Sequence, residues 1–256
     1  MQTLFITLLI PMLGIALGSG TVLFTRRPIP PLVQKTLLGF ASGVMVAASM
    51  WSLLLPAVET AGEGKWAVAP AAIGFLLGMG FLLLIDNLTP HLHLSSTAPE
   101  GPRVRLPRST MLLLAVSIHH LPEGMAIGVV QAGAAGGGIP AADALVFAIG
   151  IAIQNIPEGA IVSVPLRAMG RSRLYAFAAG CLSGVVQPGG AIVTVLLAGF
   201  ILPMMPLLLA FAAGAMLYVV VEELIPEASA GRHTNLSTLG FSAGFVLMMV
   251  LDIVLE

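Results

Sequence analysis

Charge is scarce in this sequence. Lysine, arginine, aspartate and glutamate together supply 9% of the 256 residues, where a soluble domain carries about 25%. That is too little polar surface to cover a water-soluble globule. Cysteine is nearly absent too: the lone Cys181 excludes an intrachain disulfide and, in an apolar run, reads as a small packing residue. No basic face accompanies the formal net charge of −1, which excludes nucleic acid as a partner. No basic stretch precedes the first apolar segment, so that segment reads as a membrane helix rather than a cleaved signal peptide. What is present instead is 57% hydrophobic residues and a mean hydropathy of +1.01. The chain is an integral membrane protein with the lipid bilayer as its surroundings.

Eight apolar segments are long enough to cross a bilayer, which takes about 20 helical residues each. They are predicted at 4–24, 36–58, 68–88, 110–131, 142–166, 172–200, 203–225 and 238–255. The runs are continuous rather than alternating, so they are helices and not barrel strands. The longest connection, 89–109, holds His91, His93, Pro99, Pro102 and Pro107 and is expected to be flexible. Basic residues orient the chain. Arg26, Arg27, Lys35, Arg103, Arg105, Arg108, Arg167, Arg171, Arg173 and Arg232 fall in loops on one side, and only Lys65 on the other. The positive-inside rule puts the ten in the cytoplasm and both termini outside the cytoplasm, in a bacterial chain at the inner membrane.

The sequence also repeats itself. Phe40-Ala41-Ser42-Gly43-Val44-Met45 in the second segment matches Phe211-Ala212-Ala213-Gly214-Ala215-Met216 in the seventh. Gly74-Phe75, Gly78 and Asp86 in the third match Gly240-Phe241, Gly244 and Asp252 in the eighth at identical spacing. The matched segments run in opposite directions, so helices 1–3 and 6–8 form an inverted repeat around a central pair. That 3+2+3 pattern is common in secondary transporters. Small residues four apart, such as Gly14/Gly18 and Gly124/Gly128, suit close helix packing.

The central pair carries the chemistry. Ile118-His119-His120-Leu121-Pro122-Glu123-Gly124 recurs thirty-five positions later as Ile153-Gln154-Asn155-Ile156-Pro157-Glu158-Gly159. Imidazoles and carboxylates inside apolar helices are costly and imply function. On a helix each glutamate lies three and four residues from its paired ligand-type side chains, on one broad face. Packed together, the two copies offer two carboxylates, two imidazoles and two amides. This mixture suits Zn²⁺, and also Fe²⁺, Mn²⁺, Co²⁺, Ni²⁺ or Cd²⁺, and the two carboxylates could bridge two ions. Pro122 and Pro157 each leave a carbonyl without its helical donor beside the polar groups.

These motifs, with Ala41-Ser42-Gly43-Val44-Met45 and Ser183-Gly184-Val185-Val186-Gln187-Pro188, resemble the Zrt/Irt-like (ZIP) metal transporters, close to their bacterial GufA-like branch. The resemblance spans the whole chain. It implies eight helices, a metal site between helices four and five, and a homodimer. Residue by residue, it implies a first site of His119, Glu123, Gln154 and Glu158, with Met45 as a soft ligand. A second site would use His120, Glu123, Asn155, Glu158 and Gln187. The family often has asparagine at the place of His120, a histidine-asparagine or glutamine-aspartate pair at Gln154-Asn155, and in some relatives glutamate at Gln187. Amides at 155 and 187 leave the second site with less negative charge.

Further carboxylates are pathway candidates: Glu222, Glu223 and Glu227 at the cytoplasmic end of the seventh segment, Asp86 near the cytoplasmic end of the third, and Asp252 near the outer end of the eighth. The expected function is movement of divalent metal, zinc first, into the cytoplasm, with the ion as substrate and no catalytic cofactor. An intramembrane metal-dependent hydrolase or protease is the alternative, weakened by the lack of a His-Glu-x-x-His motif. A metal-independent proton or solute carrier is the third reading.

Overall fold

The computed structural model describes residues 2–25, 28–92, 100–102, 104–197, 199, 202–231 and 234–255. Arg26, Arg27, His93, Pro99, Arg103, Phe200 and Arg232 lie outside the described residues. Eight helices are long and apolar enough to span a membrane. They are α1 (Gln2–Phe24), α2 (Pro31–Thr60), α3 (Val68–Leu88), α4 (Arg108–Ala135), α5 (Ala141–Ala168), α6 (Arg173–Leu196), α7 (Met205–Ser229) and α8 (Leu236–Leu255). Among the described residues the sole extended pairing is a bridge between His91 and Glu100. The protein is thus an all-α, multi-pass membrane protein. Leu76, Leu77, Leu83 and Leu84 on α3 and Val246, Val250 and Val254 on α8 are exposed, as lipid-facing residues are, whereas α4, α5 and α7 are the most enclosed helices.

Local chemistry sets the ends. Pro30, Pro107 and Pro140 stand in extended geometry just before α2, α4 and α5, where the missing N–H is not needed. Ser172 caps α6 by accepting a hydrogen bond from the Tyr175 amide at 3.1 Å. One end of the molecule gathers the arginines: Arg173 Nη1 donates to the Leu23 carbonyl at 3.3 Å, and Arg171 Nη2 donates to Ser109 Oγ at 3.3 Å. We call this the basic end.

The packing carries the repeat further than the sequence match. α2 runs along α8 and α3 along α7; α1 runs along α5 and α4 along the second half of α6. A Cβ added at Gly43 would overlap the Phe241 carbonyl, and one at Gly214 would overlap the Phe75 carbonyl. Gly78 meets the Phe211 carbonyl as Gly244 meets that of Phe40. In both cases the glycine and the carbonyl it faces are equivalent positions of the repeat. Helix backbones touch there, and any side chain would part them. The packing also redraws the central pair. α4 and α5 do not stand apart from the repeats; each is zipped to a repeat helix. The result is two four-helix bundles, α1/α4/α5/α6 and α2/α3/α7/α8.

Three helices are irregular, and two of them match. α2 widens into a π turn at Ser49–Leu54 and α7 at Val220–Leu224. A proline follows two residues later in each, Pro56 and Pro226, where a regular helix would clash with the carbonyl four residues back. Such turns are frequent at functional sites. α6 breaks between Ser183 and Val186. Pro188 has no N–H, and the Gln187 amide bonds the Gly184 carbonyl at 3.2 Å instead of that of Ser183.

Candidate metal centre

α4 and α5 run unbroken through Pro122 and Pro157 and bring both glutamates to one buried place. His120, Glu123, Gln154, Asn155, Glu158 and Gln187 are all buried. Ligand atoms of His120, Glu123 and Glu158 lie within 4.8 Å of one another. His120 Nε2 is 3.6 Å from Glu158 Oε2. Ligands at about 2.1 Å from a tetrahedral zinc ion stand about 3.4 Å apart, so this spacing needs little closure.

The carbonyl freed by the α6 break orients the histidine. His120 Nδ1 donates to the Ser183 carbonyl at 2.9 Å, so that nitrogen carries the proton and Nε2 is left with its lone pair facing Glu158. Orientation of a ligand histidine by a carbonyl on its other nitrogen is the usual outer-shell arrangement. Glu123 is held from two sides: Gln154 Nε2 donates to Oε1 at 2.6 Å and Gln187 Nε2 donates to Oε2. Asn155 Nδ2 donates to the Pro11 carbonyl and to Gln187 Oε1, both at 3.0 Å. Four buried lone-pair atoms remain without a hydrogen-bond partner: His120 Nε2, Gln154 Oε1, Asn155 Oδ1 and Glu158 Oε2. Buried acceptors left this way cost free energy unless something satisfies them, and a cation is the ligand that accepts lone pairs only.

The glycines after the two glutamates act by close approach. A Cβ at Gly124 would overlap the Gln187 backbone, and one at Gly159 the Ile15 carbonyl. They bring α6 and α1 against the centre.

His119 flanks this group on the side of Glu158. Its Nε2 pairs with Glu223 Oε2 in the π turn of α7. His119, Glu158, Glu223 and Glu227 line a cavity between the bundles, with apolar walls from Leu38, Leu92 and neighbours. Every helical wall belongs to the half of its helix nearer the basic end, and Leu92 follows the end of α3 on that side. Glu158 therefore faces the buried centre on one side and this cavity on the other. Glu222, on the same π turn, is exposed and not a wall of the cavity. Met45 is fully buried in the apolar core.

The remaining candidates stand apart. Asp252 accepts from Ser52 Oγ at 2.8 Å and lines a separate hollow at the opposite end, with Trp51, Pro56 and Asp143. Phe147 and Ile151, fully buried, follow Asp143 along α5 and separate that hollow from Gln154. Asp86 accepts from Tyr218 at 3.1 Å and pairs with His91 Nε2 at 3.0 Å. His91 Nδ1 lies 2.8 Å from the Thr89 carbonyl, and its backbone exchanges hydrogen bonds with Glu100. Histidine 91 is thus buried and anchored, not part of a loose loop. Tyr218→Phe removes the bond to Asp86 and is expected to cost about 1.5–3 kcal/mol, read as a lower unfolding temperature in detergent; an unchanged midpoint would remove Tyr218 from the anchor.

Sequence reasoning overlooked Ser183 and Pro11, because their contribution is a backbone carbonyl that every residue possesses. Only the proline of Gln187-Pro188 hinted that a helix carbonyl nearby would be free. Tyr218, Ser52 and Asp143 carried no signal of their own.

The sequence model of the ZIP zinc transporters matches residues 95–252. The zinc transporter ZIPB of Bordetella bronchiseptica is 42% identical, over 93% of this chain and 76% of its own. The zinc transporter ZIP11 of Homo sapiens is 36% identical over 84% of this chain and 86% of its own. The zinc transporter GufA of Myxococcus xanthus is 35% identical over 92% of both. A likeness of this extent, joined to eight membrane helices and the paired proline-glutamate-glycine motifs on α4 and α5, leaves one assignment: the chain belongs to the ZIP zinc transporter family.

Proposed function

We propose that this protein moves divalent metal, zinc first, through the membrane into the cytoplasm, by way of the buried centre between α4 and α5. The observation that carries the reading is the set of buried lone pairs on His120, Gln154 and Glu158, lying with the Glu123 carboxylate and lacking hydrogen-bond donors. Imidazole nitrogen with carboxylate and amide oxygen suits zinc, and also iron, manganese, cobalt, nickel and cadmium. The names of the relatives favour zinc. The carboxylates compensate the ion's charge in a medium that otherwise excludes it.

The basic end is the cytoplasmic one by its arginines, in a bacterial inner membrane with both termini outside. The cavity then leads from the centre to the cytoplasm. The ion leaves Glu158 for His119 and Glu223 and passes Glu227. On the other side Asp252, Ser52 and Asp143 mark the outer mouth, shut off by Phe147 and Ile151. Access alternates when the α1/α4/α5/α6 bundle, which holds every ligand of the centre, shifts against α2/α3/α7/α8. The matching π turns of α2 and α7 sit where the two mouths meet that interface. Bound metal excludes protons from its ligands, so transport releases or exchanges protons; flux indifferent to pH on both sides of a vesicle would sink that coupling.

The test is uptake of a panel of divalent ions by the purified chain in proteoliposomes. Zinc should accumulate well above protein-free vesicles. His120→Ala should lose equilibrium zinc binding by about 10-fold or more, whereas His119→Ala should keep binding and slow release. No metal uptake in any member of the panel, with the protein folded, overturns the reading. Cleavage of a peptide or lipid without metal flux would instead support the hydrolase.

A further inference from the structure

Asn155 and Gln187 stand where the family resemblance implied ligands of a second ion. Their hydrogen bonds form a chain with a fixed direction. It begins at the Pro11 carbonyl, which only accepts, and so requires the Asn155 amide nitrogen. The second N–H of that nitrogen points at Gln187 Oε1. That leaves the Gln187 nitrogen for Glu123 Oε2, an acceptor again. Both ends are acceptors, so neither amide can flip without losing a bond. The one oxygen that Gln187 could offer a metal already accepts from Asn155, which leaves it a single lone pair.

The chain takes one residue from each helix of a single bundle: Pro11 of α1, Glu123 of α4, Asn155 of α5 and Gln187 of α6. It touches no helix of the other bundle. A second cation bridging Glu123 to these residues would tie the same helices together. Here neutral hydrogen bonds do so.

Charge points the same way. Glu123 and Glu158 together bring two negative charges, which one divalent ion cancels. A second ion would leave two further positive charges in the membrane interior, which Glu223, held by His119, offsets only in part, at a cost of several kcal/mol for a charge left uncompensated. Aspartate and glutamate at 155 and 187 would have supplied the missing pair.

We propose that the centre of this protein holds a single divalent ion, and that Asn155 and Gln187 are positioning residues forming an amide clasp in the place of a second one. The inference rests on the proposed metal centre. Gln187 holds Glu123 at the ion, and Asn155 fixes Gln187 and ties α1 to the group. Loss of the clasp weakens the site without removing a ligand.

The test is zinc bound per chain in detergent, by elemental analysis after dialysis against defined free zinc. Subtracting Glu123→Ala, or Glu158→Ala should that variant not fold, isolates the centre from any surface sites. The expected difference is one ion. Asn155→Asp with Gln187→Glu, treated by the same subtraction, should lose two. Gln187→Ala should weaken zinc binding about 10-fold with helix content unchanged. A difference of two ions in the unaltered chain overturns the single-ion inference and leaves the metal centre standing. A double variant that binds no more zinc than the parent overturns the claim that Asn155 and Gln187 stand in the place of a second ion. Gln187→Ala with parental affinity removes the clasp. No difference at all on losing either glutamate overturns the metal centre itself.

Discussion

Glu123→Ala is expected to lower zinc uptake into proteoliposomes by two to three orders of magnitude, and Glu123→Gln by nearly as much. Glu123 is fully buried and is half of the negative charge available to the ion. Without it, zinc with Glu158 alone carries a net positive charge in the interior of the bundle. Breaking a buried ionic pairing by removing one partner costs about 3–5 kcal/mol, and each 1.4 kcal/mol is about tenfold in affinity. The glutamine variant keeps the shape but not the charge. It also sets an amide, which accepts at only one of its two head atoms, against the donors of Gln154 and Gln187. Helix content measured alongside separates failed transport from failed folding. Uptake within about threefold of the parent in both variants would remove Glu123 from the pathway.

Gly124→Ala is expected to be severe for a different reason. The added methyl meets the Gln187 backbone, which cannot rotate away as a side chain can. α6 must withdraw from α4, and with it go the Gln187 bond to Glu123 and the Ser183 carbonyl that aims His120. Overpacking costs about 1–3 kcal/mol in ordinary cores and more where backbone is the obstacle. A loss of about 3 kcal/mol is expected here, seen as a lower unfolding temperature and failed zinc binding. Gly189, two residues beyond Gln187 on α6, has open space at its Cβ. Gly189→Ala should be neutral or slightly stabilising, since alanine favours the helix by about 1 kcal/mol. Equal behaviour of the two variants would mean that α4 and α6 do not touch where we describe.

The contrast between those two glycines shows where sequence reading stops. A spacing of four marks many glycines, and every one could be read as a packing residue. Which of them meet backbone depends on the neighbour and its height along the membrane. The same limit applies to the adjacent histidines. Successive residues on a helix point about 100° apart, so His119 and His120 flank the Glu123 face from different sides. Sequence could not say which of the two would meet the carboxylates. The positions of α6 and α7 decide it: Ser183 holds His120 at the centre, and Glu223 draws His119 into the cavity.

Other parts were legible because they depend on composition and short spacing alone. Too little charge for a soluble surface required a membrane protein. Continuous apolar runs required helices, since backbone groups in lipid must be satisfied within the segment. A glutamate three and four residues from its ligand-type neighbours put them on one face before any partner was known. The second π turn, Val220–Leu224, holds Glu222 and Glu223 side by side, yet Glu223 lines the cavity and Glu222 faces outward; the charges were visible in sequence and the division was not.

By itself, then, the sequence determined the membrane class, the eight helices, the inverted repeat and the pair of motif helices, because each follows from local hydrophobicity or from residues within two helical turns. Tertiary structure alone decided that α4 and α5 belong to different zippers of one bundle, that the Ser183 carbonyl orients His120 toward Glu158 while His119 pairs with Glu223 beside it, and that Asn155 and Gln187 bond each other. Those outcomes depend on contacts between residues far apart in the chain and on backbone carbonyls that no side-chain pattern records.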